Sequence, residues 1–428
     1  MIKTLRNAWA MADLRKKILF TLFIIIIFRI GSVIPVPFIN VEELRSTLSG
    51  TATTNEFLSY LSILTGGGLE YGAIFAMSVS PYINASIIIQ LLTVAIPALE
   101  RLQKEGQEGQ KKLAQITRYA TVVLGLIQGA AYYFYLQNQN LVNAEGGLLI
   151  FAAIVIIVCF TAGSALMMWM GERIDEKGIG NGISILLFAG IISRGPQAFA
   201  YLWQSLFINP VAVVALVIGF LLIVAFIVWM TNAERRIPIQ YAKRVVGRKM
   251  YGGQSTHIPI KVNMSGVLPI IFASSILMIP TMILGFMGTT TGESSTFRKI
   301  LETFSYRGAF YAVLYFLMII AFAYFYVSIQ YNPVEMANNL RKNSGAIPGI
   351  RPGKPTADFI QKIMSRITLL GALFLSVIAI LPIAISGFSG MQISVGGTSV
   401  LIMVGVALDT VRNLESQMMM RHYKGFLD

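Results

Sequence analysis

Ten apolar runs divide this chain, and the lysines and arginines between them fall on alternating sides. The runs lie at residues 18–36, 73–96, 116–136, 148–171, 181–194, 210–231, 263–287, 308–329, 363–387 and 397–411. Each is long enough, or nearly so, for the roughly 20 residues that a tilted helix needs to cross about 30 Å of hydrocarbon. Basic residues cluster at the N-terminus (Lys3, Arg6, Arg15, Lys16, Lys17) and after the second run (Arg101, Lys104, Lys111, Lys112, Arg118). They cluster again after the sixth run (Arg235, Arg236, Lys243, Arg244, Arg248, Lys249, Lys261) and the eighth (Arg341, Lys342, Arg351, Lys354, Lys362, Arg366). The odd-numbered connections hold only Arg45, Arg194, Arg298, Lys299 and Arg307. Basic loops stay on the cytoplasmic side, so both termini are expected in the cytosol.

Composition agrees with an all-α polytopic membrane protein. Hydrophobic residues make up 55% of the 428 and charged ones only 13%, against about 25% charge in soluble domains. The net charge of +14 is therefore concentrated in a few loops. Such charge either sets topology or forms a docking surface for an acidic or RNA-containing partner. The loops at 232–262 and 330–362 favour docking, because they are far longer than a helix hairpin requires. The lone cysteine, Cys159, permits no disulfide within the chain and reads as a small packing residue. The basic start and first apolar run resemble a signal peptide, but no small-residue cleavage site follows Val33, so a retained helix is expected.

Ten runs divide into five and five, and an odd number per half inverts the second half relative to the first, a common plan for channels and carriers. The expected division is an N-terminal half, 1–194, a connecting hinge loop at 195–209 that begins Gly195-Pro196, and a C-terminal half, 210–428. The second run is irregular. A short apolar stretch, EFLSYLSIL (56–64), is broken by Gly66, Gly67 and Gly68, and the run then resumes at Ala73 and passes Pro81. A broken helix at membrane depth is tolerated only where it lines a cavity or is buried in protein. The short piece is either an interfacial helix outside the bilayer or a helix folded back into a funnel that it stops.

The membrane interior is nearly free of ionisable groups. Arg29 lies in the outer half of the first run, and Asp409 and Arg412 near the inner end of the last. An ion-coupled carrier keeps carboxylates or histidines at mid-membrane, yet the only histidines, His257 and His422, fall in cytosolic segments. No HExxH, paired intramembrane aspartate or P-loop is present, so neither a cofactor nor a metal is expected. Instead, aliphatic pairs stand one helical turn apart, Ile83 with Ile87 and Ile183 with Leu187, each beside small or polar residues. Such pairs suit lipid or core packing as well as a lumen.

Five segments, PYINASIIIQLL (81–92), GIGNGIS (178–184), QSTHIPIKVN (254–263), GIRPG (349–353) and GGTS (396–399), resemble in order and spacing the signature stretches of the SecY family. That family comprises channel subunits of the Sec protein translocase, and the resemblance covers the chain from about residue 15 onward. It implies a non-enzymatic protein-conducting channel, with ten transmembrane helices in two pseudo-symmetric inverted halves around a central hourglass pore. It places Ile83, Ile87, Ile183, Leu187, Ile271 and Ile402 at the constriction, Leu187 standing where the family usually has the stiffer, β-branched isoleucine. It implies a plug helix at about 57–68, with Phe57, Leu58, Tyr60, Leu61, Ile63 and Leu64 followed by Gly66, Gly67 and Gly68. It places a lateral gate between the second and third runs and the seventh and eighth, with Gln90, Thr93, Gln128, Ser274 and Ser275 as polar contacts. The implied partners are SecE-like and SecG-like small membrane subunits, the SecA ATPase, the ribosome, and unfolded polypeptides with their signal sequences. Lys243, Arg244, Arg248, Lys249 and Arg351 are the candidate contacts for a cytosolic partner, or for anionic lipid. The implied location is the bacterial cytoplasmic membrane.

Two other classes share part of this pattern. A secondary transporter of a small solute has the same inverted plan, but needs polar side chains converging at the midplane. A membrane-embedded enzyme needs a nucleophile and a base, and no such pair is visible.

Overall fold

The structure is a computed structural model that describes residues 9–50, 65–144, 146–207, 210–241, 244–246, 249–251, 255–287, 309–389 and 397–424. A helix stands at each of the ten expected runs: α1 (Ala12–Gly31), α3 (Ser80–Ala95), α5 (Gln107–Asn138), α6 (Leu148–Lys177), α7 (Gly182–Ile192), α9 (Pro210–Asn232), α10 (Leu268–Met287), α11 (Ala309–Gln330), α13 (Lys354–Ser389) and α14 (Gly397–Lys424). Shorter helices are α2 (Val41–Gly50), α4 (Pro97–Lys104), α8 (Gly195–Leu206) and α12 (Pro333–Lys342). Among the described residues, six helical stretches are long and apolar enough to cross a membrane, and a seventh is the bent pair α3–α4. Outward-facing side chains such as Val211 (81% exposed) and Leu222 (65%) on α9 would be a liability in water and are at home in lipid. The chain is a polytopic, predominantly helical membrane protein.

Two local expectations are corrected, and one long loop proves to hold strands. The second span does not resume at Ala73: residues 65–79 form a series of tight turns, and α3 begins at Ser80. Pro81 falls in the first turn of α3, where its missing N–H would have had no partner anyway. At the other end α3 stops at Ile96, held extended by the following Pro97, and the chain bends by 102° into α4. The stretch expected to be a connecting loop, 195–209, is helical over Gly195–Leu206, with Pro196 again in a first turn. The long loop at 232–262 is not irregular. It holds β1 (Glu234–Tyr241), β2 (Arg244–Val246), β3 (Lys249–Tyr251) and β4 (Ser255–Lys261).

The chain condenses into two compact units. The first comprises Met1–Ala215, Leu277–Tyr306 and Ser394–Asp428. In it α5 packs on α3 and on α6, α6 on α7 and α1, and α14 along α7. Glycines set these distances: a Cβ on Gly125 would lie 3.0 Å from Ser164 Oγ of α6, and one on Gly129 3.4 Å from the Ile157 carbonyl. Close approach through small residues is how helices associate where no hydrophobic effect drives them together. Next to this seam Tyr132, Tyr133, Tyr135, Leu136, Ile156 and Phe160 form a core with Val36 and Leu69.

The second unit comprises Leu216–Ile276 and Arg307–Ile393. Its strands β1 and β4 pair antiparallel, and β5 (Gly345–Ala346) adds to the other edge of β1 at Gln240 and Tyr241. Pro238 sits where β5 does not reach and Pro259 on the edge strand β4, positions at which a missing N–H is harmless. Alternation puts Ile237, Ile239 and Ile260 on the inner face. They pack with Val327 of α11, Leu340 of α12, and Ile360, Met364 and Ile367 of α13. The first turns of α13 therefore belong to this small apolar core, and only its later part matches the run expected at 363–387.

Candidate functional site

The aliphatic positions are held by a steric motif around residues 178–184. Asn181 caps α7, its side chain accepting from the Ser184 N–H at 3.0 Å, while Asp175 accepts from the Gly182 N–H at 2.7 Å. Gly180 is left-handed (φ 72°), and a Cβ on Gly182 would lie 2.0 Å from the Gly171 carbonyl of α6. The Ile179 N–H donates to Thr21 Oγ of α1 at 3.3 Å. GIGNGIS is thus a bent, capped entry to α7 that closely fixes where Ile183 and Leu187 stand. Asp175, which the sequence reading missed, was visible only as a carboxylate seven residues before the helix start.

Five of the six positions expected at a constriction lie on helices of the first unit. Ile87 (4% exposed), Leu187 (5%) and Ile402 (3%) are buried on α3, α7 and α14. Ile83 and Ile183 are half-buried, and Ile183 covers Gly171, its Cδ1 2.5 Å from where a Cβ would be. Ile271 is half-buried on the part of α10 that belongs to the second unit.

Of the positions expected in a plug, Phe57, Leu58, Tyr60, Leu61, Ile63 and Leu64 lie outside the described residues. Gly66, Gly67 and Gly68 are seen, as turns, with left-handed φ at Gly66 (65°) and Gly67 (92°). The segment they open, 65–79, is set into three helices through glycines. A Cβ on Gly66 would lie 3.0 Å from the Gly190 carbonyl of α7, one on Gly31 of α1 2.1 Å from the Phe75 ring, and one on Gly163 of α6 2.0 Å from the Ile74 carbonyl. Backbone bonds tie it to the segment that follows α1: the Val36 N–H donates to the Gly72 carbonyl at 2.9 Å and the Ile74 N–H to the Ile34 carbonyl at 3.0 Å. Three arginines grip its first turns. Arg29 Nη1 donates to the Gly66 carbonyl at 2.8 Å, Arg194 pairs with Glu70, and the Arg45 guanidinium stands 5.6 Å from the Tyr71 ring centre. A lone arginine in an apolar run was the sequence signal for this grip; its partner was not legible.

This packing yields an expected result. Gly163→Leu should lower thermal stability in detergent by about 1–3 kcal/mol or more, because neither the α6 backbone nor the Ile74 carbonyl can move away cheaply. A melting temperature equal to the parent's would show that the 65–79 segment is not seated there.

The candidate lateral-gate residues differ in setting. Thr93 is buried and donates to the Gln90 carbonyl of its own helix at 2.6 Å, and Ser274 donates to the Ile271 carbonyl at 3.0 Å. Gln90 is exposed, its amide reaching Ser86 Oγ at 3.4 Å, and Gln128 and Ser275 are half-buried. Of the candidate partner contacts, Lys243 and Arg248 lie outside the described residues, while Arg244 and Lys249 stand in the β2–β3 pairing, opposite Tyr251 and Val246. Arg351 is exposed on a rigid turn. Gly349 and Gly353 have φ of 80° and 110°, Ile350 packs on the sheet core, and the Arg351 carbonyl accepts from Thr356 Oγ at 2.8 Å.

Comparison with known proteins matches the SecY family model over residues 73–411. Chains called protein translocase subunit SecY from Halalkalibacterium halodurans (44% identical over 441 residues) and Streptomyces galbus (43% over 438) match along the whole of both chains. A solved protein-conducting channel superposes with TM-score 0.64 at 18% identity over 94% of this chain and 92% of its own. Sec61 in the canine ribosome-channel complex from the endoplasmic reticulum superposes with TM-score 0.62 at 17% identity over the same shares. A family model matched over residues 73–411, together with sequence likeness along the whole length of those relatives, leads to one assignment: the chain belongs to the SecY family.

Proposed function

We propose that this chain is a protein-conducting channel, which moves unfolded secretory polypeptides across the cytoplasmic membrane and releases transmembrane segments sideways into the bilayer. The observation that carries this reading is the full-length likeness to chains called translocase subunits. The site agrees with it. A passing polypeptide has no fixed chemistry, so a lining of uncharged aliphatic side chains at 83, 87, 183, 187, 271 and 402 suits it better than a binding site would. Such a neck excludes water and ions by dewetting and still admits a chain. The channel performs no catalysis of its own, and the two inverted halves, 1–194 and 210–428, are defined by chain parity around the pore rather than by compactness. The 57–68 segment serves as the plug. Reconstituted with a SecA-type ATPase and a radiolabelled precursor, the chain and its small membrane subunits should give protease-protected precursor; none would sink the reading.

The driving partner docks on the cytosolic loops, where the basic residues and the sheet lie together. The neighbouring folds include Sec61 in a ribosome-channel complex and a yeast Ssh1 complex bound to a ribosome, and an exposed Arg351 on a stiff turn suits an RNA or acidic protein surface equally. SecE-like and SecG-like subunits complete the membrane complex. Both termini and the basic loops face the cytosol. In a Cys159→Ser background, single cysteines at Gln240 and Lys354 should react with a membrane-impermeant maleimide only from the cytosolic side, and one at Ala200 only from outside. The opposite pattern would reverse the topology.

A further inference from the structure

We propose that Arg29 is a positioning residue for the constriction, an inference that rests on the channel reading above. Its guanidinium donates to the Gly66 carbonyl at 2.8 Å, and Ser193 Oγ reaches the same carbonyl at 3.4 Å while bonding the Gly190 carbonyl at 2.7 Å. One backbone oxygen thereby joins α1, the outer end of α7 and the turn segment that leads into α3. One of those elements carries an aliphatic pair and another leads into the second: Leu187 lies under two turns before Ser193 on α7, and Ile83 follows shortly after the turn segment, on α3. The joint leaves no slack, because Gly66 is left-handed and sits against the α7 backbone. Arg29 stands on the flank of the exposed apolar stripe Leu22, Ile26 and Ile30 of α1. A charge there is expensive in hydrocarbon unless it is paired or hydrogen-bonded. The carbonyl supplies that partner, and the bond in turn fixes α3 and α7 in relative register. Arg29 acts through Gly66 and has no role in touching substrate.

The test measures resting ion conductance per inserted channel in vesicles, for the complete complex. Arg29→Gln should raise it roughly tenfold, the shift that accompanies loss of one charge-assisted hydrogen bond. Arg29→Lys should recover a large part of the seal. Adding Ser193→Ala to Arg29→Gln should change little, since both act on one carbonyl, whereas Ser193→Ala alone should leak about twofold to fivefold. Arg118→Gln, which breaks the ion pair with Glu172 between α5 and α6, should leave the seal intact. If Arg29→Gln is as tight as the parent while Ile402→Asn leaks, the inference is wrong and the channel reading stands. If neither leaks, the constriction assignment itself fails. Equal leak from Arg29→Gln and Arg118→Gln would reduce Arg29 to a general structural role and overturn the proposal. Should Arg29→Gln not insert, Ser193→Ala decides: a tight channel overturns it.

Discussion

Replacing Ile402 with asparagine is expected to raise the resting ion permeability of the reconstituted channel by about tenfold or more, and to relax the demand for a strongly hydrophobic signal sequence. Ile402 is buried, 3% exposed, on the helix that packs along α7. A neck lined by aliphatic side chains stays dry because water inside it loses hydrogen bonds that the wall cannot replace. An asparagine amide restores two to three of those bonds. An amide left unsatisfied in an apolar setting costs about 1–3 kcal/mol, so the same side chain biases the neck toward its wetted state by a comparable amount. Ile87→Asn, on α3, should act in the same direction, and Ile402→Val should leave the seal nearly as it was. The measurement is conductance per correctly inserted channel, which separates wetting from poor folding. Two asparagine variants that insert fully and remain tight would remove Ile87 and Ile402 from the constriction.

Reversing the charge at Arg351 should slow precursor export by about tenfold or more while changing the amount of channel in the membrane by less than about twofold. The two effects separate because of how the turn is built. Gly349 and Gly353 hold left-handed backbone, Ile350 is anchored in the sheet core and Thr356 bonds the Arg351 carbonyl, so the turn keeps its shape whatever side chain stands at 351. The guanidinium itself is exposed and contributes little to folding. A glutamate there meets an acidic or RNA partner with repulsion instead of attraction. Arg351→Lys, which keeps the charge but loses the planar fork, should lie between the two. Normal export per channel from Arg351→Glu would leave the residue as a topology determinant or a lipid contact.

Span positions were legible in the sequence because hydrocarbon imposes a length and a polarity on every segment that crosses it. All ten expected runs carry a helix, from Ala12–Gly31 to Gly397–Lys424. The boundaries were less legible where proline and glycine act. Pro81 and Pro196 looked like residues within or after a span, and each instead opens a helix. Hydropathy does not distinguish an apolar segment that is helical from one, such as 65–79, that makes tight turns against glycines of three other helices. The sheet at 234–261 was present as an alternation, Ile237 with Ile239 and Ile258 with Ile260, inside a stretch whose charges drew attention first.

The candidate aliphatic and basic residues could be proposed from the sequence, Ile83, Ile87, Ile183 and Arg351 within the quoted motifs and the others by their position relative to them. Their supports could not. The Gly66 carbonyl receives Arg29 from 37 residues away and Ser193 from 127 residues away, and Glu70 meets Arg194 across 124. What the sequence by itself determined was which segments enter the membrane and which side chains are available, because the bilayer acts on each segment separately. What only the tertiary structure decided was which backbone carbonyl an intramembrane arginine reaches and which glycine a neighbouring chain needs empty. Those are relations between segments distant in the chain, and no local pattern encodes them.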